Sequence, residues 1–240
     1  MLPKIDLPIY ELKLPSNGKS IKVRPFLVRE EKLLLMAIES GNDEEIIETT
    51  KQVINNCLLD EEINIEKLPF FDIDYLFIAL RAKSIGESIS VKFTCNSYVN
   101  GKVCGHTFPA NIDISNCETI MREDVSSSID LSGGISVKMK YPSYTTMKSI
   151  MDNDSVIDKK INIIAGSIER IVKGEQVYSL KDISKEELTE FIEGLTQEQF
   201  KKLEHFVDNF PFFVIKAEAD CESCGYHHHL EYKEFTSFFV

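Results

Sequence analysis

Six cysteines stand at positions 57, 95, 104, 117, 221 and 224. Two of them sit in Cys221-Glu222-Ser223-Cys224-Gly225, where a tight turn lets two thiolates point at one tetrahedral ion and the glycine lets the backbone curl beneath it. Cys95 and Cys104-Gly105 offer a second pair at the junction of two strand-like stretches. Two hairpin tips, each giving two thiolates to one ion, are the plan of a zinc ribbon. The gap between Cys95 and Cys104 exceeds the usual ~2–4 residues, but residues 96–102 are polar enough to loop out. Spacing alone therefore nominates Cys95, Cys104, Cys221 and Cys224 as ligands of one zinc ion, with His106 or His227 able to replace a cysteine. Four thiolates close the coordination sphere, so such an ion would be structural rather than catalytic. The alternative is a set of free, reduced thiols at hairpin ends.

Cys57 falls on an apolar helical stripe and Cys117 is isolated, so both read as small core residues. Redox use of Cys221 and Cys224 would need the pair at a helix N-terminus in a βαβ setting, whereas a strand pattern follows them. His227, His228 and His229 lie on that strand, where alternate members face opposite sides, so they cannot all bind one ion easily. They read as a solvent-facing histidine strand beside the knuckle. No phosphate-cradling, dinucleotide-binding, nucleophile-elbow or His-Glu-x-x-His motif occurs. The carboxylates of runs such as Asp43-Glu44-Glu45 and Lys185-Glu186-Glu187 have solvation and helix-start roles that suffice. No enzyme activity and no small-molecule substrate are expected.

The elements that would position these residues show in the patterning. Residues 9–14 alternate, Pro15-Ser16-Asn17-Gly18-Lys19 supplies a turn, and Ile21 and Val23 resume the alternation, which predicts a β-hairpin. Helices are expected over 29–40, ended by Gly41, over 43–58, and over 73–84 with Asp72 as N-cap. Period-two alternation then takes over at Ile89, Val91 and Phe93, with further strands at 106–114 and 134–141. Residues 117–131 have no clear period. Helices are expected at 144–151 and 158–172, and a short strand at 176–179. Ser184 with Glu187 and Thr196 with Gln199 are capping boxes, with Ile183/Leu188 and Leu195/Phe200 as their hydrophobic staples. Phe200, Leu203, Phe206, Val207 and Phe210 make a core stripe, and strands at 212–219 and 226–235 flank the second cysteine pair.

The fold class is α+β: an N-terminal hairpin with helices over 1–86, then a strand-rich, zinc-ribbon-like region over 87–240 with a helical insertion at about 143–210. At 240 residues the chain can bury a real core. No apolar run approaches the ~20 residues of a membrane span, and the opening Met-Leu-Pro-Lys offers no apolar core of a signal peptide. Synthesis in the cytoplasm and reduced thiols are therefore expected. A formal net charge of −12 opposes attraction to a phosphate backbone. The one basic stretch, Lys19, Lys22, Arg24, Arg29 and Lys32, is interrupted by Glu30 and Glu31 and reads as a solvated face.

The opening Leu2-Pro3-Lys4 … Pro8-x-Tyr10-Glu11-Leu12-x-Leu14-Pro15-Ser16-x-Gly18, continuing through Arg24-Pro25-Phe26-Leu27-Val28-Arg29-Glu30-Glu31-Lys32-Leu33-Leu34-Leu35-Met36-Ala37, resembles the signature of the baseplate hub subunit family of T-even-like contractile-tailed bacteriophages. Weaker similarity continues at Leu68-Pro69, at Asp74-Tyr75-Leu76-Phe77, from Leu80 to Glu87, and at Met139-Lys140-Tyr141-Pro142. The resemblance implies a hub component or hub assembly factor that acts through contacts with other tail proteins, made in the host cytoplasm and placed in the tail baseplate. The cysteines are not carried over from that family. A zinc-ribbon adaptor for nucleic acid or transcription machinery is the alternative. Charge separates the two: Glu218, Asp220, Glu222, Glu231 and Glu234 make the knuckle neighbourhood acidic, where an adaptor needs a basic face.

Overall fold

The computed structural model describes residues 5–151, 155–180 and 182–233. Strands β1 (Tyr10–Lys13) and β2 (Ser20–Val23) form the expected hairpin, with Leu12 opposite Ile21. Alternation puts Leu12, Ile21 and Val23 on its buried face. The outer edge of β2 is occupied: Val23 bridges Leu58, and the Leu59 amide donates to the Lys22 carbonyl. The hairpin thus packs into the core of its unit.

Helix α1 (Val28–Ser40) ends at Gly41, and α2 (Asp43–Cys57) is capped by Asn42, whose side chain accepts from the Glu44 and Glu45 amides. Helix α3 (Phe70–Ser84) starts earlier than expected, so Asp72 lies inside its first turn and is not the N-cap. Its buried carboxylate instead accepts from the Ser16 amide at 3.0 Å and from the Ser16 hydroxyl, tying the hairpin turn to the helix. The basic stretch is not wholly a solvated face either. Arg24 reaches the buried Glu30 at 3.0 Å. Burial would raise the Glu30 carboxyl, but Arg24, the Leu27 amide and Arg29 outweigh it and bring it down to about 2.

Strands β3 (Ser88–Thr94) and β6 (Thr107–Asp113) pair antiparallel, and β4 (Tyr98–Val99) with β5 (Lys102–Val103) forms a small hairpin between them. The stretch without a clear period contains two short strands, β7 (Glu118–Ile120) and β8 (Ser128–Asp130). At three residues each, they are too short for alternation to register.

Residues 121–211, with 66–70, make up a second unit. Strand β8 pairs with β9 (Ile135–Met139), and the chain continues through α4 (Tyr144–Met151) and α5 (Val156–Ser167). The helix expected over 158–172 stops at Ser167. From Ile168 the chain is strand β10 (Ile168–Lys173), paired with β9 and with β11 (Gln176–Ser179). Ile168, Ile171 and Val172 are β-branched, and pairing on both sides overrides the helical pattern. Helices α6 (Lys185–Glu193) and α7 (Gln197–Asp208) begin at the two capping boxes, both of which form. Leu203 and Phe206 are fully buried in a core shared with Leu131, Val137, Met139, Ile164, Ile168 and Ile192. The Tyr141 ring stacks on Phe206 at 5.4 Å.

The chain returns to the first unit with β12 (Phe212–Asp220) and β13 (His227–Tyr232), an antiparallel pair whose connection holds the second cysteine pair. The end of the strand expected over 226–235, like Glu234 and residues 2–4, lies outside the described residues. Strand β12 also pairs with β7 and packs against β6. Among the described residues this is a mixed α+β architecture of seven α-helices and thirteen strands in small antiparallel sheets, and no described helix is long and apolar enough to cross a membrane.

Candidate metal centre

The two cysteine pairs occupy the ends of two ladders of the first unit. Beyond the last β3–β6 pair, Thr94–Thr107, the Cys95 amide donates to the His106 carbonyl and the Gly105 amide returns to the Cys95 carbonyl at 3.0 Å. At the end of β12 and β13, the Cys221 amide donates to the Tyr226 carbonyl and the Gly225 amide to the Cys221 carbonyl at 2.8 Å. Each tip therefore curls through a glycine in the left-handed region, Gly105 at φ 66° and Gly225 at φ 70°. Any Cβ at these positions would strain the backbone that aims the sulfurs.

This folding brings together all four nominated cysteines. Their sulfurs lie within 4.8 Å of one another. Cys95 and Cys224 are 3.7 Å apart, and Cys104 and Cys221 3.9 Å, so each close pair takes one thiol from each tip. A disulfide, at about 2.05 Å, is not formed, and all six cysteines are free. An ion with metal–sulfur bonds of about 2.3 Å in a tetrahedron sets its sulfurs roughly 3.8 Å apart, which matches both distances. The residues present fit a tetrahedral metal ion.

The surroundings treat the sulfurs unequally. The Ser97 hydroxyl lies 3.0 Å from the Cys95 sulfur and 3.2 Å from that of Cys224. The Ser97 hydroxyl and the Tyr226 amide bring the Cys224 thiol down to about 6. Burial pushes Cys221 up to about 11, against amide bonds from Cys224 and Ser223. The two thiols differ, and a cation at the centre would favour the thiolate at every position.

The histidines divide in a way the sequence did not reveal. His228 is buried, correcting the solvent-facing reading of the run, and its Nε2 lies 3.2 Å from the Cys95 sulfur. Its ring packs edge-on against Phe93, with centroids 4.9 Å apart. Neither His106 nor His227 substitutes for a cysteine. His106 stacks on Phe108, and His227 turns away to bond Asp220 at 2.7 Å. Ser97 and His228 thus join the site as neighbours of its sulfurs. Alternation shows that His228 opposes its flanking histidines, but not which face is inward.

Cys57 lies fully buried in the helical core, and its thiol is pushed up to about 11 by burial. Cys117 is half-buried, and burial, with Asp74 and Glu118 nearby, pushes it up to about 11. Both stand apart from the four-sulfur cluster. The knuckle Cys221–Cys224 leads into strand β13 rather than into a helix, so it lacks the helix N-terminus that activates redox pairs.

A family model described as "T4 bacteriophage base plate protein" matches residues 7–240, nearly the whole chain. No curated protein and no solved structure matches.

Proposed function

The chain belongs to the T4 bacteriophage base plate protein family, and on that premise we propose that it serves the central hub of a contractile tail's baseplate, as a hub component or hub assembly factor. It works through contacts with other tail proteins, without catalysis, and is assembled in the host cytoplasm. The opening signature through Arg24-Pro25-Phe26 and the following helix supports the hub over other baseplate positions. Within that role, Cys95, Cys104, Cys221 and Cys224 hold a structural zinc ion and make the strand pairs a zinc-ribbon-like unit. The convergence of four thiols at tetrahedral spacing carries this reading. Bound there, zinc would supply cross-linking rather than Lewis-acid chemistry, because the four sulfurs complete its shell. Ser97 and His228 would orient and neutralise the thiolates.

Two measurements test the two halves of the proposal. Protein purified without added metal should carry one zinc per chain, and cobalt exchanged into it should show intense sulfur-to-metal charge-transfer bands. Metal-free, fully folded protein would remove the zinc site. A pull-down inventory of baseplate intermediates should find the chain bound to hub proteins. Recovery only with peripheral baseplate parts would remove the hub assignment and leave the zinc site untouched.

A further inference from the structure

The outer face of the same β12–β13 pair carries a second set of metal-ligating side chains, of different chemistry. In the antiparallel register Glu218 stands opposite His229 and Asp220 opposite His227. Alternation therefore places two imidazoles and two carboxylates on the face away from the thiols. The ligand atoms of Glu218, His227 and His229 lie within 4.8 Å of one another, and all three residues are exposed. One Glu218 oxygen is 3.3 Å from His229 Nδ1 and the other 3.7 Å from His227 Nε2. The two rings stand nearly perpendicular with centroids 4.9 Å apart.

Asp220 gives this cluster its order. It accepts from His227 Nδ1 at 2.7 Å, so in the neutral ring the proton sits on that nitrogen and Nε2, on the Glu218 side, presents its lone pair. A carboxylate behind the far nitrogen of a ligating histidine is the usual outer support of such ligands.

We propose that Glu218, His227 and His229 form a second metal site, a solvent-open position for a divalent transition ion of the zinc or nickel class, with Asp220 positioning His227. Two imidazoles select against calcium and magnesium, which take oxygen ligands. Three protein ligands on an exposed face leave room for water or for a donor from another molecule, unlike the closed four-thiol set. The ion would be exchangeable where the inner one is locked. The site needs nothing from the thiolates, and the two proposals stand or fall separately.

The test is calorimetric titration of nickel chloride into the full chain at pH 8, without a histidine tag. Wild type should bind one nickel ion, and the H227A/H229A double variant should bind none at that site. D220N should weaken binding about ten-fold while E218Q removes a ligand and weakens it further. All these side chains are exposed, so circular dichroism should show an unchanged fold. Identical isotherms for wild type and the folded double variant, or no nickel uptake by wild type, would overturn the site. The cobalt charge-transfer bands of the inner cysteines should be the same in the double variant, so a failure here is distinguishable from a failure of the zinc proposal.

Discussion

The knuckle end of the first unit closes around three buried residues, Cys95, Phe108 and Cys221, with Phe93, Cys104, Ala219 and Cys224 packed alongside. The second unit closes around thirteen, from Ile129 to Val207, with Tyr141, Phe200, Phe210 and others around them. The strands behind the tips bury Ile89, Ala110, Ile112, Phe213, Val214 and Ile215, but at about 25 cal/mol per Å² of apolar surface the smaller cluster cannot offset the chain entropy of ordering the two tips. It has polar contacts instead: backbone ladders, a shared serine hydroxyl, a buried histidine and four sulfurs. The second unit has side-chain volume. One region should depend on an ion and the other on packing.

Removing the ion should have the largest effect. Structural zinc contributes on the order of 10 kcal/mol to folding in small metal-held units. Chelation at high temperature, or C224S, should therefore release the knuckle end. Amide exchange should accelerate across 94–107 and 219–228 while amides of 129–139 and 197–208 keep their protection. Equal loss of protection in both regions would mean that the ion is not what distinguishes them. The reverse experiment is Phe206→Ala, which opens a cavity beneath Tyr141 and should cost about 3–5 kcal/mol. Its exchange signature should fall in the second unit, with the cobalt spectrum of the cysteines unaltered.

How much of this contrast the sequence displays follows from the same physics. The four cysteines are legible because each pair sits on a turn at a strand end, and the glycine that such a turn requires follows Cys104 and Cys224 in the chain. Both capping boxes are legible for a similar reason, since a helix start must satisfy its own amides within a few residues. The contributions of Ser97 and His228 are not local. Ser97 touches Cys95 two residues before it, but it bridges the two tips only because Cys224, 127 residues away, arrives beside it. Residues 168–172 misled because their apolar spacing suits either period, and only neighbouring strands decide between them. Asp72 misled in the same way. A carboxylate near a helix start has a local use, but this one is taken by Ser16, 56 residues earlier.

A subtler variant should leave both regions folded. His228→Ala removes a group that touches the Cys95 sulfur but is not one of the four ligands. Outer-shell partners of a metal site usually account for about 10–100-fold in affinity, so zinc should remain bound yet transfer faster to a competing chelator. The four-thiolate cobalt bands should persist with a small shift. Their disappearance would make His228 a ligand and Cys95 or its neighbour dispensable. Unchanged transfer kinetics would reduce His228 to filler between Phe93 and Tyr226, whose rings it touches.

The smallest effect is expected where the second unit uses polar contacts of its own. Ser184 caps α6 by accepting from the Glu187 amide at 3.1 Å, and the Glu187 carboxylate accepts from the Ser184 amide at 2.8 Å. Ser184→Ala removes half of this reciprocal pair and should cost about 1 kcal/mol, read as a lower urea midpoint with an unchanged slope. These bonds are exposed and water can replace them, so the second unit should tolerate the loss. The bonds around the cysteine sulfurs are shielded from that replacement, with Cys95, Ser97 and His228 all buried. If Ser184→Ala proved as damaging as His228→Ala, polar contacts would matter equally in both regions, and the division between an ion-held and a packing-held region would fail.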